Sequence, residues 1–172
     1  YMFHTPAIEL TELQAEALDL PHVIGNTRGE KEKELVDLEE AIKKAKEKFG
    51  FDGIITGAVF SEYQSSRIQI ICDKLGLKCI SPLWHKSQEQ LMQELLDNGF
   101  EIIFTGIAAE GLDKSWLNIV ITSEHLLKLK KLKEEIGMHE AGEGGEFESL
   151  VLDCSLFKKK LVIKETKIIE EK

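Results

Sequence analysis

The sequence has few cysteines, few prolines and no long apolar run, and each shortage excludes a class of protein. Its 3 cysteines among 172 residues are an odd and widely spaced set. Such a set argues against a disulfide scaffold and fits a reducing compartment. With 3 prolines and 13 glycines, the chain is neither collagen-like nor of low complexity. No apolar stretch approaches the roughly 20 residues that a membrane-spanning helix needs.

Basic residues are also scarce. Lysine and arginine together number 22 against 31 aspartates and glutamates, which gives a formal net charge of −9. A protein that binds nucleic acid without sequence preference needs a basic face to displace counterions, so this balance counts against one. An apolar fraction of 42% still suffices for a core. We therefore expect a soluble, cytoplasmic globular protein that binds neither membrane nor nucleic acid directly.

Hydrophobic periodicity predicts helices that alternate with short apolar strands. The predicted helices cover residues 8–19, 30–49, 62–75, 88–98 and 123–136. The predicted strands cover residues 22–25, 53–59, 78–81, 101–107, 148–153 and 160–168. A Ser-x-x-Gln pattern at Ser61 and at Ser87 marks two helix starts. The charge run EKEKE at 30–34 indicates a solvated helix face.

The rhythm of helix and strand through residue 107 predicts an α/β fold, with a parallel sheet covered by helices. The apolar run 53–59 predicts a strand of that sheet that is fully buried. Pro82, Leu83 and Trp84 form the best boundary, which divides the chain into residues 1–84 and residues 85–172.

Two loops of the predicted sheet carry candidate site residues, because open parallel sheets bind ligands beyond the carboxyl ends of their strands. The loop after 53–59 leads into Ser61, Tyr63, Gln64 and Arg67, at a helix N-terminus that suits a phosphate or an adenine ring. Capping by Ser61 and Gln64 is the alternative interpretation. The loop after 78–81 contains Trp84, for which a packing role at a domain junction is the favoured interpretation.

A third loop, residues 108–116, combines acids, a glycine and a tryptophan. Its candidate residues are Glu110, Asp113 and Trp116. An exposed tryptophan is costly unless it packs or binds something, so we expect this loop to have a purpose.

The segment 139–148, HEAGEGGEFE, is the most informative stretch. Its glycines, Gly142, Gly144 and Gly145, allow close backbone approach and can aim N–H groups at an anion. Its three crowded carboxylates are Glu143, Glu146 and Glu148. Crowded carboxylates repel one another, which a protein tolerates best when a cation such as Mg²⁺, ammonium or a quaternary amine sits among them. A glycine turn with solvated acids is the alternative.

Taken together, these stretches resemble diphthine–ammonia ligases, a family of N-type ATP pyrophosphatases. The matching stretches, in the order of the family, are YMFHT, LTELQAEALDLP, GEKEKELVDLEEA, GAVFSEYQSSRI, LGLKCISPLW, AAEGLDKSWL and GMHEAGEGGEFESLVLD. They are long, irregular and spread over nearly the whole chain. The sequence departs from the family at Asn118, which replaces the glycine of a WLG motif.

The family also has an SGGxDS pyrophosphate loop, which this sequence lacks; since the sequence begins with Tyr, we expect a fragment or processed product. The resemblance implies a Rossmann-like, HUP-type nucleotide-binding domain over residues 1–84, truncated at its N-terminus. It implies a smaller α/β C-terminal domain that binds the substrate over residues 85–172.

The implied reaction is the ATP-dependent amidation of diphthine to diphthamide. Diphthine is a modified histidine of translation elongation factor 2 that carries a carboxylate and a trimethylammonium group. ATP adenylates the carboxylate and releases pyrophosphate, and ammonia then displaces AMP. The resemblance thus implies ATP and Mg²⁺ as cofactors, and the elongation factor and ammonium as partners. A homodimer is a further expectation for a small enzyme acting on a large protein.

The resemblance also implies roles for individual residues. The expected contacts to AMP are Gly57, Ser61, Tyr63, Gln64 and Arg67. The expected substrate contacts are Trp84, Glu110, Asp113, Trp116, Gly144 and Gly145, with Trp116 facing the quaternary ammonium. The expected catalytic residues, which would hold Mg²⁺, attract ammonium or take its proton, are Glu143, Glu146 and Glu148.

Two alternatives stay open. One is another adenylating ATP pyrophosphatase, acting on tRNA or on a small acid. The other is a non-catalytic module that binds a nucleotide or a partner.

Overall fold

The computed structural model describes residues 7–30 and 32–170, which form two compact units. Among the described residues, unit 1 comprises residues 22–86, and unit 2 comprises residues 7–21 and 87–170. Unit 1 is therefore inserted in the sequence of unit 2.

The described residues form five α-helices and four strands. The helices are α1 (Thr11–Leu18), α2 (Glu34–Phe49), α3 (Glu62–Leu75), α4 (Gln88–Asp97) and α5 (Ser123–Ile136). The strands are β1 (Gly53–Ile55), β2 (Lys78–Ile80), β3 (Glu101–Ile107) and β4 (Phe147–Asp153). Two short 3₁₀ helices cover Ile8–Leu10 and Lys114–Trp116. No helix in the described part of the chain is both long and apolar enough to cross a membrane.

Unit 1 is built on a β–α–β arrangement. Strands β1 and β2 pair in parallel, with Gly53 opposite Lys78 and Ile55 opposite Ile80, and α3 connects them. Helix α3 begins at Ser61, whose hydroxyl accepts a hydrogen bond from the Gln64 amide at 3.3 Å. This N-cap satisfies a backbone donor that the helix itself cannot pair.

Helix α2 runs alongside α3 in the same direction. Near the end of α3, the Lys74 ammonium donates to the carboxylate of Glu39, in the first half of α2, at 2.9 Å. Near the end of α2, the Lys46 ammonium donates to the Leu75 carbonyl, at the end of α3, at 2.5 Å. At the opposite end, Glu32, just before α2, contacts the first turns of α3. The N-termini of both helices therefore lie at the end of the unit where β1 finishes.

Unit 2 is built on an antiparallel pair of strands, in which Ile107 lies opposite Phe147 and Glu101 opposite Asp153. Its main core cluster consists of Phe104, Trp116, Ile121, Leu129, Met138 and Phe147. The fully buried Phe104 ring stacks on Phe147 with 3.8 Å between ring centres. Helix α1 joins this unit through hydrogen bonds from the Gln14 side chain to the Val151 carbonyl and from the Lys158 amide to the Ala17 carbonyl.

The α/β class is confirmed, but the prediction of one parallel sheet through residue 107 is wrong. Strand β3 pairs with β4 and belongs to unit 2, so only β1 and β2 are parallel. The reason lies in packing, because Ile103 of β3 is buried in one cluster with Leu150 and Leu152 of β4. The order of elements along a chain indicates strands, but it does not fix their partners.

Several predicted strands are shorter or absent. Strand β1 ends at Ile55 rather than at residue 59, and Ile55 is 75% exposed, so it is not fully buried. Residues 22–25 and 160–168 form no strand. Their apolar side chains include Ile24 and Val162, which are 65% and 74% exposed. Burial of apolar surface therefore does not stabilise a strand at either place. Helices 62–75 and 123–136 are confirmed at both ends.

Candidate functional site

In unit 1, the candidate site lies where β1 and β2 end. Thr56 follows β1 and Ser81 follows β2, and their hydroxyl groups are 2.9 Å apart. Gly57 comes next and is exposed, with no atom near the position that a side chain would take. An open backbone beside a capped helix N-terminus is a suitable place for a phosphate group.

Three side chains meet beside the first turns of α3. The Glu32 Oε1 atom accepts hydrogen bonds from Arg67 Nε at 3.0 Å, from Arg67 Nη2 at 2.5 Å and from the Tyr63 hydroxyl at 3.1 Å. The Arg67 guanidinium lies over the Tyr63 ring, 3.6 Å from its centre. We call this group the Arg67 cluster. The hydrogen bond from Arg67 to Glu32 raises the pKa of Arg67. The pKa of Tyr63 is also raised, first by partial burial and second by its hydrogen bond to Glu32.

Sequence reasoning missed Glu32. It belongs to the charge run 30–34, which indicated a solvated helix face, and its spacing gives no sign of a partner. The same run contains Glu34, which is only 1% exposed. The interpretation of the whole run as solvated is therefore wrong at Glu34, whose side chain is buried, whereas Glu32 is exposed and contacts Arg67 and Tyr63.

Three aromatic rings stack at the loop after β2. His85 lies between Trp84 and Phe60, with ring centres 4.8 Å and 5.7 Å away. The His85 amide donates to the Val59 carbonyl at 2.8 Å, which joins this loop to the one after β1. Trp84 is half-buried in this stack, and its predicted contact with substrate stays a prediction.

In unit 2, Glu146 organises the segment 139–148. Its carboxylate accepts the His139 amide at 3.0 Å and the Gly144 amide at 2.8 Å. A side chain on Gly144 would come within 2.6 Å of the same carboxylate, so a larger residue here would displace the Glu146 side chain. The Glu146 carbonyl also accepts the Ala108 amide at 2.8 Å, which holds this segment against the loop that follows β3.

The three predicted catalytic glutamates have different surroundings. Glu146 uses both carboxylate oxygens on backbone amides, Glu143 is exposed, and Glu148 is half-buried opposite Gly106. Among the described residues, no three His, Cys, Asp or Glu side chains are placed to hold a metal ion. Their expected roles, to hold Mg²⁺, to attract ammonium or to accept its proton, stay predictions. Gly145, the other predicted contact in this segment, is exposed.

The loop after β3 also differs from expectation. Trp116 is 8% exposed and stacks on Phe104 with 6.1 Å between ring centres, so this tryptophan packs in the core of unit 2. Its expected contact with the quaternary ammonium stays a prediction. Trp116 is held inside because the 3₁₀ turn that contains it packs on the core of unit 2. Glu110 and Asp113 are exposed. This loop follows a strand of an antiparallel pair, so it does not lie at the edge of a parallel sheet.

Asp113 caps that 3₁₀ turn and offers a test of the local geometry. Its Oδ1 atom accepts hydrogen bonds from the Ser115 hydroxyl at 2.5 Å and amide at 2.8 Å, and these bonds lower the pKa of Asp113. The stabilisation they give is present above the unfolded-state pKa and is lost as the pH falls through the lower folded-state pKa. In S115A, we expect the pKa of Asp113 to rise, which an NMR titration of its carboxyl carbon would measure. An unchanged pKa in S115A, or an equal rise in the control S155A, would contradict this account.

Comparison with known proteins places the chain in a family. It matches the family model "Diphthamide synthase N-terminal domain" over residues 1–79 and the model "Diphthamide synthase C-terminal domain" over residues 87–171. A diphthine–ammonia ligase of Bos taurus is 34% identical in an alignment that covers 98% of this chain and 67% of the relative. One of Danio rerio is 34% identical in an alignment that covers 98% of this chain and 71% of the relative. The chain belongs to the diphthine–ammonia ligase family.

The prediction of this family from sequence is confirmed, and with it the assignment to ligases. A diphthine–ammonia ligase of Schizosaccharomyces pombe is also 34% identical, over 99% of this chain but only 30% of the relative. The chain spans about two thirds of the length of the vertebrate relatives. The Arg67 cluster lies in the part of this chain that matches the N-terminal family model, and segment 139–148 lies in the part that matches the C-terminal one.

Proposed function

We propose that this chain is part of an enzyme that amidates diphthine on translation elongation factor 2 to diphthamide, with ATP and ammonia, in the cytoplasm. The observation that carries the proposal is its similarity, over 98% of its length, to relatives named diphthine–ammonia ligases. That name specifies the acid, the nitrogen donor and the bond to be formed. A carboxylate is a poor acyl donor, so an activating step with ATP belongs to the proposal.

The proposed chemistry has two displacements. A carboxylate oxygen of diphthine attacks the α-phosphorus of ATP, and the bond to pyrophosphate breaks. Ammonia then attacks the carbonyl carbon of the acyl-adenylate, and the bond to AMP breaks. The nitrogen loses one proton in this step, so a base nearby would favour the amide.

Unit 1 has features that suit the nucleotide, and we assign it a Rossmann-like, HUP-type role. The N-terminus of α3, with its Ser61 cap, offers backbone donors to an anion. Arg67 presents a planar fork of donors, the geometry that phosphate oxygens bind best. We assign the contacts to AMP to Gly57, Ser61, Tyr63, Gln64 and Arg67.

Unit 2 has features that suit the acyl group and ammonia. Glu143 is the exposed carboxylate of segment 139–148, and we assign it the role of attracting ammonium and accepting its proton. Glu146 is a positioning residue in this scheme, because its carboxylate holds the segment through two amides. The exposed acids Glu110 and Asp113 suit the trimethylammonium group. Mg²⁺ is usually bound by one or two carboxylates together with the phosphates of the substrate, so it belongs to the proposal as the partner of ATP, with no step assigned to it.

The test is an assay of the full-length protein with the diphthine-bearing elongation factor, ATP and ammonium. We expect AMP and the amide, detected by mass spectrometry, to form only when all three are present. In E143Q, amide formation should fall about a hundredfold, which is typical of the loss of a general base. The control E135Q removes an exposed carboxylate near the end of α5 and should keep the wild-type rate.

Two results would contradict these assignments. If wild-type protein forms AMP equally well without the diphthine-bearing factor, the proposed substrate is wrong. If E143Q and E135Q have the same rate, Glu143 is not the base.

A further inference from the structure

We propose that Glu32 occupies the anion site formed by Arg67 and Tyr63, and that a nucleotide phosphate binds there by displacing it. This inference rests on the proposed function, because it takes the Arg67 cluster as part of the nucleotide site. It adds a residue that competes with the nucleotide and so sets its affinity.

The hydrogen bonds of the cluster have the form of an occupied anion site. Three donors from Arg67 and Tyr63 converge on a single oxygen, Glu32 Oε1, at 2.5 to 3.1 Å. Carboxylate and phosphate oxygens accept from the guanidinium fork in the same way. A phosphate oxygen in the place of Oε1 would therefore keep all three donors satisfied.

The donors are positioned by a contact that does not involve Glu32. The guanidinium lies 3.6 Å from the centre of the Tyr63 ring, and both residues are on α3, four positions apart. Stacking of this kind fixes the plane of the guanidinium. The donors consequently stay in place when the carboxylate leaves.

Glu32, in contrast, reaches the cluster from the solvent, and its backbone has an unfavourable conformation. Its side chain is 55% exposed, whereas that of Arg67 is 27% exposed, so the carboxylate can depart without opening a core. Its φ is +67°, in the left-handed region that residues other than glycine rarely adopt. Strain of this kind is a recurrent feature of ligand sites and switch segments.

Such a contact would assist turnover. An exposed ion pair contributes little to stability, so a phosphate can displace it at small cost. When AMP leaves, the carboxylate returns to Arg67 and opposes rebinding of the product. A nucleotide can bind only while Glu32 is away from Arg67 and Tyr63. The affinity for AMP and ATP is therefore reduced in proportion to the fraction of time that Glu32 occupies the site.

The test compares two neutral substitutions in the full-length protein. E32Q keeps the shape of the side chain and removes its charge, and we expect AMP and ATP to bind about two- to fivefold more tightly, as measured by calorimetry. The matched control is E30Q, which removes the same charge two positions away. Glu30 pairs with Lys33 at 2.5 Å rather than with Arg67, so E30Q should leave both affinities unchanged. In the double variant E32Q/R67M, the gain should disappear.

Each outcome decides one point. Equal affinities in E32Q and E30Q would overturn the inference, since only the net charge would matter. Weaker binding in E32Q would overturn it too, because Glu32 would then position Arg67 rather than compete. If R67M alone leaves the AMP affinity unchanged, the nucleotide site of the proposed function is wrong. If R67M weakens binding and E32Q has no effect, only the inference fails.

Discussion

Replacing Gly142 by alanine should lower the free energy of unfolding of unit 2 by about 2–4 kcal/mol, through backbone strain and overpacking. Gly142 has a φ of +74°, which alanine adopts only at a cost. The added methyl would lie 2.9 Å from the Phe147 ring. That ring is 6% exposed and stacks on the fully buried Phe104, so it has no room to retreat.

Gly145→Ala separates strain from crowding. Gly145 has a φ of +83°, but no atom lies near the position of its added methyl, so only the strain of about 1 kcal/mol is expected. Denaturant unfolding, followed through Trp116 in a W84F background, would report on unit 2 for both variants. Equal losses in G142A and G145A would mean that Phe147 yields and that the core here is loosely packed.

Replacing Glu34 by methionine should raise the free energy of unfolding of unit 1 by about 1–3 kcal/mol, because burial of an unpaired carboxylate is costly. Glu34 is 1% exposed, and neither carboxylate oxygen has a hydrogen-bond partner in the described part of the chain. Methionine has a similar shape and no charge to desolvate. The loss of a favourable acid in the first turn of α2 offsets part of the gain.

E40M, on the same helix, is the control for Glu34. Glu40 is 66% exposed, so its replacement should change stability by less than about 0.5 kcal/mol. Unfolding would be followed through Trp84 in a W116F background. A destabilised E34M would show that the Glu34 carboxylate makes a favourable interaction that its lack of hydrogen bonds conceals.

Local signals in the sequence predicted local structure well. Helix α3 was predicted at both ends, from the N-cap pattern at Ser61 and the apolar periodicity through residue 75. Pairing of strands was not predictable in the same way. The residues that pair with β3 lie 40 to 52 positions further along the chain, and the choice of β4 depends on the packing of Ile103 against Leu150 and Leu152.

The candidate site shows the same division. The Ser-x-x-Gln patterns predicted the starts of α3 and α4 correctly, since a helix start depends on local sequence. The contact between Glu32 and Arg67 joins residues 35 positions apart, and the burial of Trp116 depends on Phe104. Neither the spacing nor the composition of the sequence contains that information.

The insertion of unit 1 into unit 2 has a consequence for synthesis of the protein on the ribosome. Residues 22–86 emerge as a continuous piece, whereas unit 2 needs α1 to meet a strand that is made much later. The hydrogen bond from Gln14 to Val151 spans 137 residues. Native contacts of such long range form slowly, because the chain between them must first be closed into a loop. During translation, α1 therefore waits for its partner strand until most of the chain has been made.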